Sequence, residues 1–212
     1  MEKKYILTDD VIDFNSHTLH RIKAVRDFDC VKAGDLGGFI ESEKNLDHDG
    51  AAWVTGDARI FGDAVVSSAA VVSGAAVVSG AARVTGAAVV FGDARVSGVA
   101  VVSGAARVTG AARVSGAAWV TGAAVVSDSA RVSGAAVVSG AADFAVISGF
   151  GRVFRTTTFF RCKDNLVRCQ CGCFYGTVDE FRAKVRETHG NSKYAKEYLM
   201  IADLMELHFK ED

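Results

Sequence analysis

Residues 82–99 read ARVTGA-AVVFGD-ARVSGV, three copies of one six-residue unit. The unit places alanine first, an aliphatic residue third and, with few exceptions, glycine fifth. Alanine occupies every sixth position from Ala52 to Ala142, sixteen times in all. The third position is aliphatic from Val54 to Val138 and ends with Phe144. A short fixed period of this kind predicts a solenoid, in which each repeat stacks on its neighbours.

The columns of the unit predict which side chains point inward. In an extended segment residues i and i+2 share a face, so the alanine and aliphatic columns lie on one side and the variable and Ser/Thr columns on the other. The alanine and aliphatic columns must face the interior. The glycine column is broken only by Ser68 and Asp128, and it supplies corners where a positive φ is tolerated.

This pattern resembles the hexapeptide-repeat left-handed parallel β-helix, whose motif has an aliphatic residue at i and a small one at i+4, as in Val54 with Ala58. The resemblance implies a mainly β fold of about five coils, with three hexads in each. Enzymes of that class are mostly acyltransferases, and a related carbonic anhydrase uses zinc. Both need histidine near the coils, and the repeats contain none, so we expect no catalytic residue and no cofactor there.

If three hexads form one turn, the outward variable column sorts into three faces. The first and second valine faces are mostly apolar, and the arginine face is mostly basic. The first valine face carries Trp53, Val71, Val89, Arg107 and Val125, the second carries Val65, Arg83, Val101, Trp119 and Val137, and the arginine face carries Arg59, Val77, Arg95, Arg113 and Arg131.

The valine faces favour self-association, because apolar surface left in water costs about 25 cal/mol per Å² and contiguous apolar patches usually mark interfaces. The expected interface residues are Trp53, Val71, Val89, Val125, Val65, Val101, Trp119 and Val137. Strand propensity also accounts for outward valines, so solvated faces are the alternative. The arginine face carries a ladder of Arg59, Arg95, Arg113 and Arg131. Such a ladder is suited to binding a nucleotide or a polyanion, and the alternative is that it only keeps the protein in solution.

Residues 1–50 are expected to form an N-terminal β cap and residues 51–149 the solenoid. A hairpin is predicted from the strand-like segments Lys3–Leu7 and Thr18–Val25, and Leu46 begins a degenerate first hexad. The stretch GDLGGFIE at residues 34–41 has three glycines, which indicate a tight turn or a close backbone approach. It lacks the lysine and Ser/Thr of a P-loop.

Residues 150–212 are expected to form a hairpin followed by two helices. The hairpin strands run over residues 156–162 and 167–174. A capping box at Thr177 begins the first helix, Gly190 ends it, and Ser192 caps the second. Three leucines widen the apolar stripe of the second helix beyond what a two-strand unit needs to cover its core: Leu199, Leu204 and Leu207. They indicate either oligomer contacts or packing against the last coil.

Four of the five cysteines lie in this C-terminal segment, and the odd number suits reduced thiols. Together with one histidine they are weak candidates for a metal site: Cys162, Cys169, Cys171, Cys173 and His189. Same-face residues of one straight strand lie roughly 7 Å apart, too far to converge on a zinc ion, and a bend at Gly172, which would bring them closer, leaves zinc as the alternative. We therefore expect buried apolar cysteines and no bound metal.

The chain has a formal net charge of -1, which does not favour a generally basic nucleic-acid binder. Its start is charged before it is apolar, so we expect no signal peptide. In the repeats, a glycine or a polar residue interrupts the apolar residues every few positions, so we expect no membrane association. We expect a cytoplasmic location.

Residues 34–41, together with CGCF at 171–174 and THG at 188–190, resemble a family of bacteriophage and prophage solenoid proteins, described as polymer-forming or transferase-like. That resemblance implies a phage or bacterial accessory protein with host or phage partners. We expect a homo-oligomeric, non-enzymatic scaffold or interaction module. The alternatives are a binder of an anionic ligand and, third, a degenerate acyltransferase.

Overall fold

The computed structural model describes residues 2–210, and its centre is a parallel β-solenoid of about six turns. Each coil strand pairs in parallel with the strand one turn later, as Val89 does with Arg107. The predicted mainly β solenoid, with three hexads in each turn, is confirmed. It has about one turn more than expected, because Phe39 and Ile40 pair in parallel onto the first coil.

Fifteen strands of two residues each form the coils, five on every face. The first valine face comprises Trp53–Val54, Val71–Val72, Val89–Val90, Arg107–Val108 and Val125–Val126. The second valine face comprises Val65–Val66, Arg83–Val84, Val101–Val102, Trp119–Val120 and Val137–Val138. The arginine face comprises Arg59–Ile60, Val77–Val78, Arg95–Val96, Arg113–Val114 and Arg131–Val132.

The inward columns form one continuous core, since the alanines from Ala52 to Ala136 and the aliphatic residues from Val54 to Val138 have no exposed surface. The corners need a left-handed backbone, and Ser68 and Asp128 adopt it at φ values of 64° and 58° in place of glycine. At Gly104 an added Cβ would lie 2.9 Å from the backbone N and O atoms of Gly122. Stacked corners thus leave little room for a side chain.

The N-terminal cap extends the sheet of the arginine face. Strands Tyr5–Phe14 and His17–Ala24 form an antiparallel hairpin, and Leu36–Ile40 pairs with the hairpin on one side and with the first coil on the other. A Cβ on Gly38 would meet the backbone oxygen of Ala58 at 2.7 Å, so the predicted close approach is confirmed. Leu46 is fully buried and bridges to Val66, as a degenerate first hexad requires.

The solenoid ends before its sequence period does. The carboxylate of Asp143 accepts hydrogen bonds from the backbone N and the Oγ of Ser139, at 2.8 and 2.5 Å, and from the N of Gly140 at 3.1 Å. These bonds close a short 3-10 turn, Ala141–Asp143, that diverts the chain. Residues 144–149, expected in the solenoid, therefore belong to the C-terminal sheet.

The C-terminal sheet is antiparallel, with strands in the order Phe144–Phe150, Arg155–Arg161, Val167–Cys171 and Phe174–Thr177. One side closes the solenoid core with Phe160 and Cys162, and the other packs against the helices with Phe159 and Cys169. A turn at Gly172, with a φ of 60°, splits the segment predicted as one strand from 167 to 174. The single-strand prediction was wrong there.

Two helices cover the outer side of this sheet: α1, Val178–His189, and α2, Lys193–His208. The predicted helix N-caps are confirmed, because the side chains of Thr177 and Ser192 accept hydrogen bonds from the backbone in the first turn of each helix. Leu204 and Leu207 are 55% and 70% exposed, so they do not pack against the last coil. Across residues 2–210, neither helix has the length and apolar character needed to span a membrane.

Candidate functional site

The strand register places the outward residues of the arginine face in one row. Arg59 pairs with Val77, and Val77 pairs with Arg95. Arg113 follows Arg95, and Arg131 follows Arg113. Because adjacent strands lie about 4.8 Å apart, the last three arginines occupy consecutive steps. We name Arg95, Arg113 and Arg131 the arginine strip.

Arg59 is separated from the strip and covered by the N-terminal hairpin. Its guanidinium lies 4.7 Å from the ring centre of Phe14, and its Nε is buried with no hydrogen-bond partner in residues 2–210. Phe14 also packs against Phe61, with 5.8 Å between ring centroids. The predicted ladder of four arginines is therefore reduced to the three residues of the strip.

The strip is exposed, and within the described part of the chain none of its arginines forms a salt bridge. By contrast, several arginines of the flanking caps pair with carboxylates at 2.5 to 2.8 Å; these are Arg21, Arg168 and Arg182. Like charges directly opposite one another in a sheet are destabilising. An anion lying along the strip would relieve that repulsion, and each guanidinium offers a planar fork of N–H donors that suits phosphate or carboxylate.

The strip ends against the C-terminal cap. The backbone N of Arg131 donates to the Oγ1 of Thr158 at 3.0 Å, and its Nη1 lies 3.5 Å from the backbone oxygen of Gly172. Ser133, in the neighbouring outward column, donates from its Oγ to the Oε1 of Gln170 at 2.5 Å. These contacts fix the last step of the strip. The backbone N atoms of Arg95 and Arg113 donate to the next coil, and their side chains make no hydrogen bond within residues 2–210.

The first valine face is less open than the sequence indicated. Trp53 is only 7% exposed, because its ring packs edge-on against Phe28 at 5.3 Å and Tyr5 at 6.4 Å between centroids. Trp53 therefore belongs to the core under the N-terminal cap and not to an interface. Val71 and Val89 are half-buried, and exposed Arg107 separates them from Val125, which is 46% exposed.

The second valine face keeps an exposed tryptophan. Trp119 is 45% exposed, and the Nζ of Lys163 lies 4.3 Å from its ring centre. Val101 and Val137 pair with Trp119 on either side and are half-buried. Val65 lies at the far end beyond Arg83, which is exposed and interrupts the apolar surface.

The cysteines do not converge. Cys162 faces the solenoid core, Cys169 faces the helices, and Cys173 lies exposed in the turn after Gly172. Across residues 2–210, no cluster of three or more His, Cys, Asp or Glu side chains has an arrangement that could hold a metal ion. Burial raises the pKa of the Cys169 thiol, which fits an apolar core residue.

No protein-family model matches the chain, and no curated protein is significantly similar to it. The resemblance to phage and prophage solenoid proteins therefore remains a prediction. The function of this chain has to be inferred from its own residues and their arrangement.

Sequence reasoning missed one arginine beside the strip. Arg155 begins the second strand of the C-terminal sheet, and its guanidinium lies against Gly172, so that a Cβ there would displace it. Gly172 thus has Arg131 near its carbonyl oxygen and Arg155 against its Cα. The basic linker GRVFR at residues 151–155 was the available signal, but only the folded hairpin brings it next to the repeats.

Proposed function

We propose that this protein is a non-enzymatic ligand-binding solenoid whose arginine strip captures a phosphorylated anion, such as a nucleotide or a nucleic acid. The observation that carries the proposal is the register of Arg95, Arg113 and Arg131 on consecutive strands, exposed and without a salt bridge in residues 2–210. A cytoplasmic role as a phage or bacterial accessory protein is part of the same proposal.

The strip has the chemistry for such a ligand. Serine hydroxyls stand two residues beyond each arginine on the same outward face, at Ser97, Ser115 and Ser133. Guanidinium groups carried on strands about 4.8 Å apart present repeated N–H forks. The hydroxyls of Ser97 and Ser115 beside them add donors for phosphate oxygens, whereas the hydroxyl of Ser133 donates to Gln170. Surface ion pairs are individually weak, so affinity requires several arginines acting on one ligand.

A thermal-shift experiment tests the proposal with nucleotides and inorganic polyphosphate as probes. A ligand that binds only the folded state stabilises it by about 2.7 kcal/mol when present at about 100 times its Kd. We expect an upward shift of Tm that shrinks as salt rises, because exposed charges are screened. The double variant Arg95→Gln/Arg113→Gln should abolish the shift.

The matched control is Arg83→Gln/Arg107→Gln, which removes the same charge from the two valine faces. It should retain the ligand-induced shift, because neither residue belongs to the strip. An equal loss of the ligand-induced Tm shift in both double variants would mean that binding depends only on the overall charge of the protein. If no probe raises the Tm of the unmodified protein, the proposal is contradicted.

A second candidate function is a scaffold that self-associates through a valine face. It is favoured by the second valine face, where Trp119 remains 45% exposed between Val101 and Val137. Burial of apolar surface contributes about 25 cal/mol per Å², and flat sheet faces can pack against each other at about 10 Å. Host or phage proteins are alternative partners for the same face.

Light scattering tests the scaffold. We expect a mass above that of one chain for the unmodified protein and a monomer for Val101→Glu/Val137→Glu, since two buried carboxylates would lack partners at the interface. The pair Val71→Glu/Val89→Glu places the same charges on the first valine face and identifies which face assembles. An unchanged mass for both pairs would exclude assembly through these faces.

A further inference from the structure

The C-terminal unit contains a cavity of about 350 Å³ that the repeats do not form. It lies between the turn at Gly172, the linker at residues 151–155 and the second half of α1, with Tyr198 of α2 completing the wall. Ligand pockets have volumes of about 300–1,000 Å³. This one lies at the lower end of that range, so it suits a small molecule better than a polymer or a peptide segment.

The cavity has an apolar floor and a cationic entrance. Phe181 and Val185 line it and are 3% and 4% exposed, and Phe174 adds a third apolar wall. Arg152, Arg155 and Lys184 line it as exposed residues. Apolar linings with a few placed polar groups are typical of small-molecule sites.

Two of the three cations at the entrance are available to a ligand. Lys184 is held by Glu187, with 3.0 Å between its Nζ and Oε2. Neither Arg152 nor Arg155 has a carboxylate partner within residues 2–210. Glu197, the acid nearest in sequence to Tyr198, accepts a hydrogen bond from the backbone N of Gly151 at 3.0 Å and lies near Lys193 at 3.6 Å.

Tyr198, which completes the wall, is uncharged near neutral pH. Burial raises the pKa of Tyr198 to about 12, so its hydroxyl stays protonated and lies 3.4 Å from the backbone oxygen of Phe150, within donating distance. An apolar body in the cavity would meet Phe174, Phe181 and Val185, and an anionic group on that body would meet two guanidinium groups at the mouth.

We propose that this cavity binds a small organic anion, with an aromatic or aliphatic body against Phe174, Phe181 and Val185 and its anionic group between Arg152 and Arg155. The cavity and the arginine strip use different residues. The cavity can therefore fail its test while the strip passes, and the reverse also holds.

Two dyes of nearly the same shape test the charge requirement. 8-Anilinonaphthalene-1-sulfonate carries an anionic group, and N-phenyl-1-naphthylamine is its uncharged counterpart. We expect the sulfonate to bind one per chain, at least tenfold more tightly than the amine. Arg152→Gln/Arg155→Gln should weaken the sulfonate about tenfold and leave the amine unchanged, whereas Arg95→Gln/Arg113→Gln should affect neither dye.

A cysteine footprint on the unmodified protein locates the dye without any substitution. Cys173 is exposed and lines the cavity, whereas Cys30 is exposed on the N-terminal segment and serves as an internal control. Saturating sulfonate should slow alkylation of Cys173 by iodoacetamide at least fivefold and leave Cys30 unchanged, as read by mass spectrometry.

The proposal is overturned if Cys173 and Cys30 are alkylated equally with and without dye. It is also overturned if both dyes bind equally tightly, or if Cys173 becomes protected at high protein concentration without any dye, since a second copy would then be the occupant.

Discussion

Lys4 lies in an environment that is unusual for a lysine. It is fully buried, its Nζ donates to the backbone oxygen of Ala52 at 2.9 Å, and the ammonium lies 5.4 Å from the ring centre of Phe28. Burial lowers the pKa of Lys4 to about 8, against an ordinary value of 10.5. The lysine ties the N-terminal cap to the first alanine of the repeats at an electrostatic cost.

That cost predicts a pH dependence of stability. Between about pH 8 and pH 10 the unfolded chain binds the Lys4 proton and the folded chain releases it, so the free energy of unfolding rises with pH. The slope approaches about 1.4 kcal/mol per pH unit. Comparing the unmodified protein with Lys4→Met isolates this residue, because other titrating groups are common to both.

Urea unfolding at pH 7, 8, 9 and 9.5 provides the measurement. From pH 8 to pH 9.5 the stability of the unmodified protein should rise relative to that of Lys4→Met by about 1 to 1.5 kcal/mol. Parallel curves for the two proteins over this range would show that Lys4 keeps an ordinary pKa in the folded state.

Neither Lys4 nor Trp53 could have been placed from the sequence. A lysine in a charged N-terminal segment is usually solvated, and an outward tryptophan on a repeat is usually exposed. Both are buried because the N-terminal hairpin folds back on the first coil, and contacts between segments so distant in sequence leave no periodic signal.

The coils are the elements that sequence predicts best. Every step repeats the same residue sizes, so the inward columns, the corners and the length of one turn follow from local geometry. Even the substitutions Ser68 and Asp128 keep the left-handed corner, with φ values of 64° and 58°.

The end of the solenoid was not predictable from the repeat alone, because Ala142 and Phe144 keep the period. Asp143 ends it by binding Ser139 and Gly140. Burial opposes ionisation of Asp143, but these hydrogen bonds outweigh it and lower the pKa of the carboxyl. The hydrogen bonds of one side chain in the variable column thus lie where the chain leaves the solenoid.

On the scale of the whole molecule, a formal net charge of -1 conceals a strongly uneven surface. Within residues 2–210 the strip places three arginines without a salt bridge on one side of the solenoid, whereas cap residues such as Arg21, Arg168 and Arg182 pair with carboxylates. Sorting the variable column by turn predicted this face. It did not predict that Phe14 covers Arg59, or that Arg131 and Arg155 both lie against Gly172.

The most direct test of the arginine strip is the salt dependence of binding to a labelled single-stranded oligonucleotide, measured by fluorescence anisotropy. Contacts with single strands contribute about 0.7 each to the slope of log K against log salt, so three arginines predict a slope of about -2. Arg113→Gln should make the slope less steep by about 0.7, and Arg83→Gln should leave the slope unchanged. An absence of binding at low salt, or the same slope in both variants, would contradict the account.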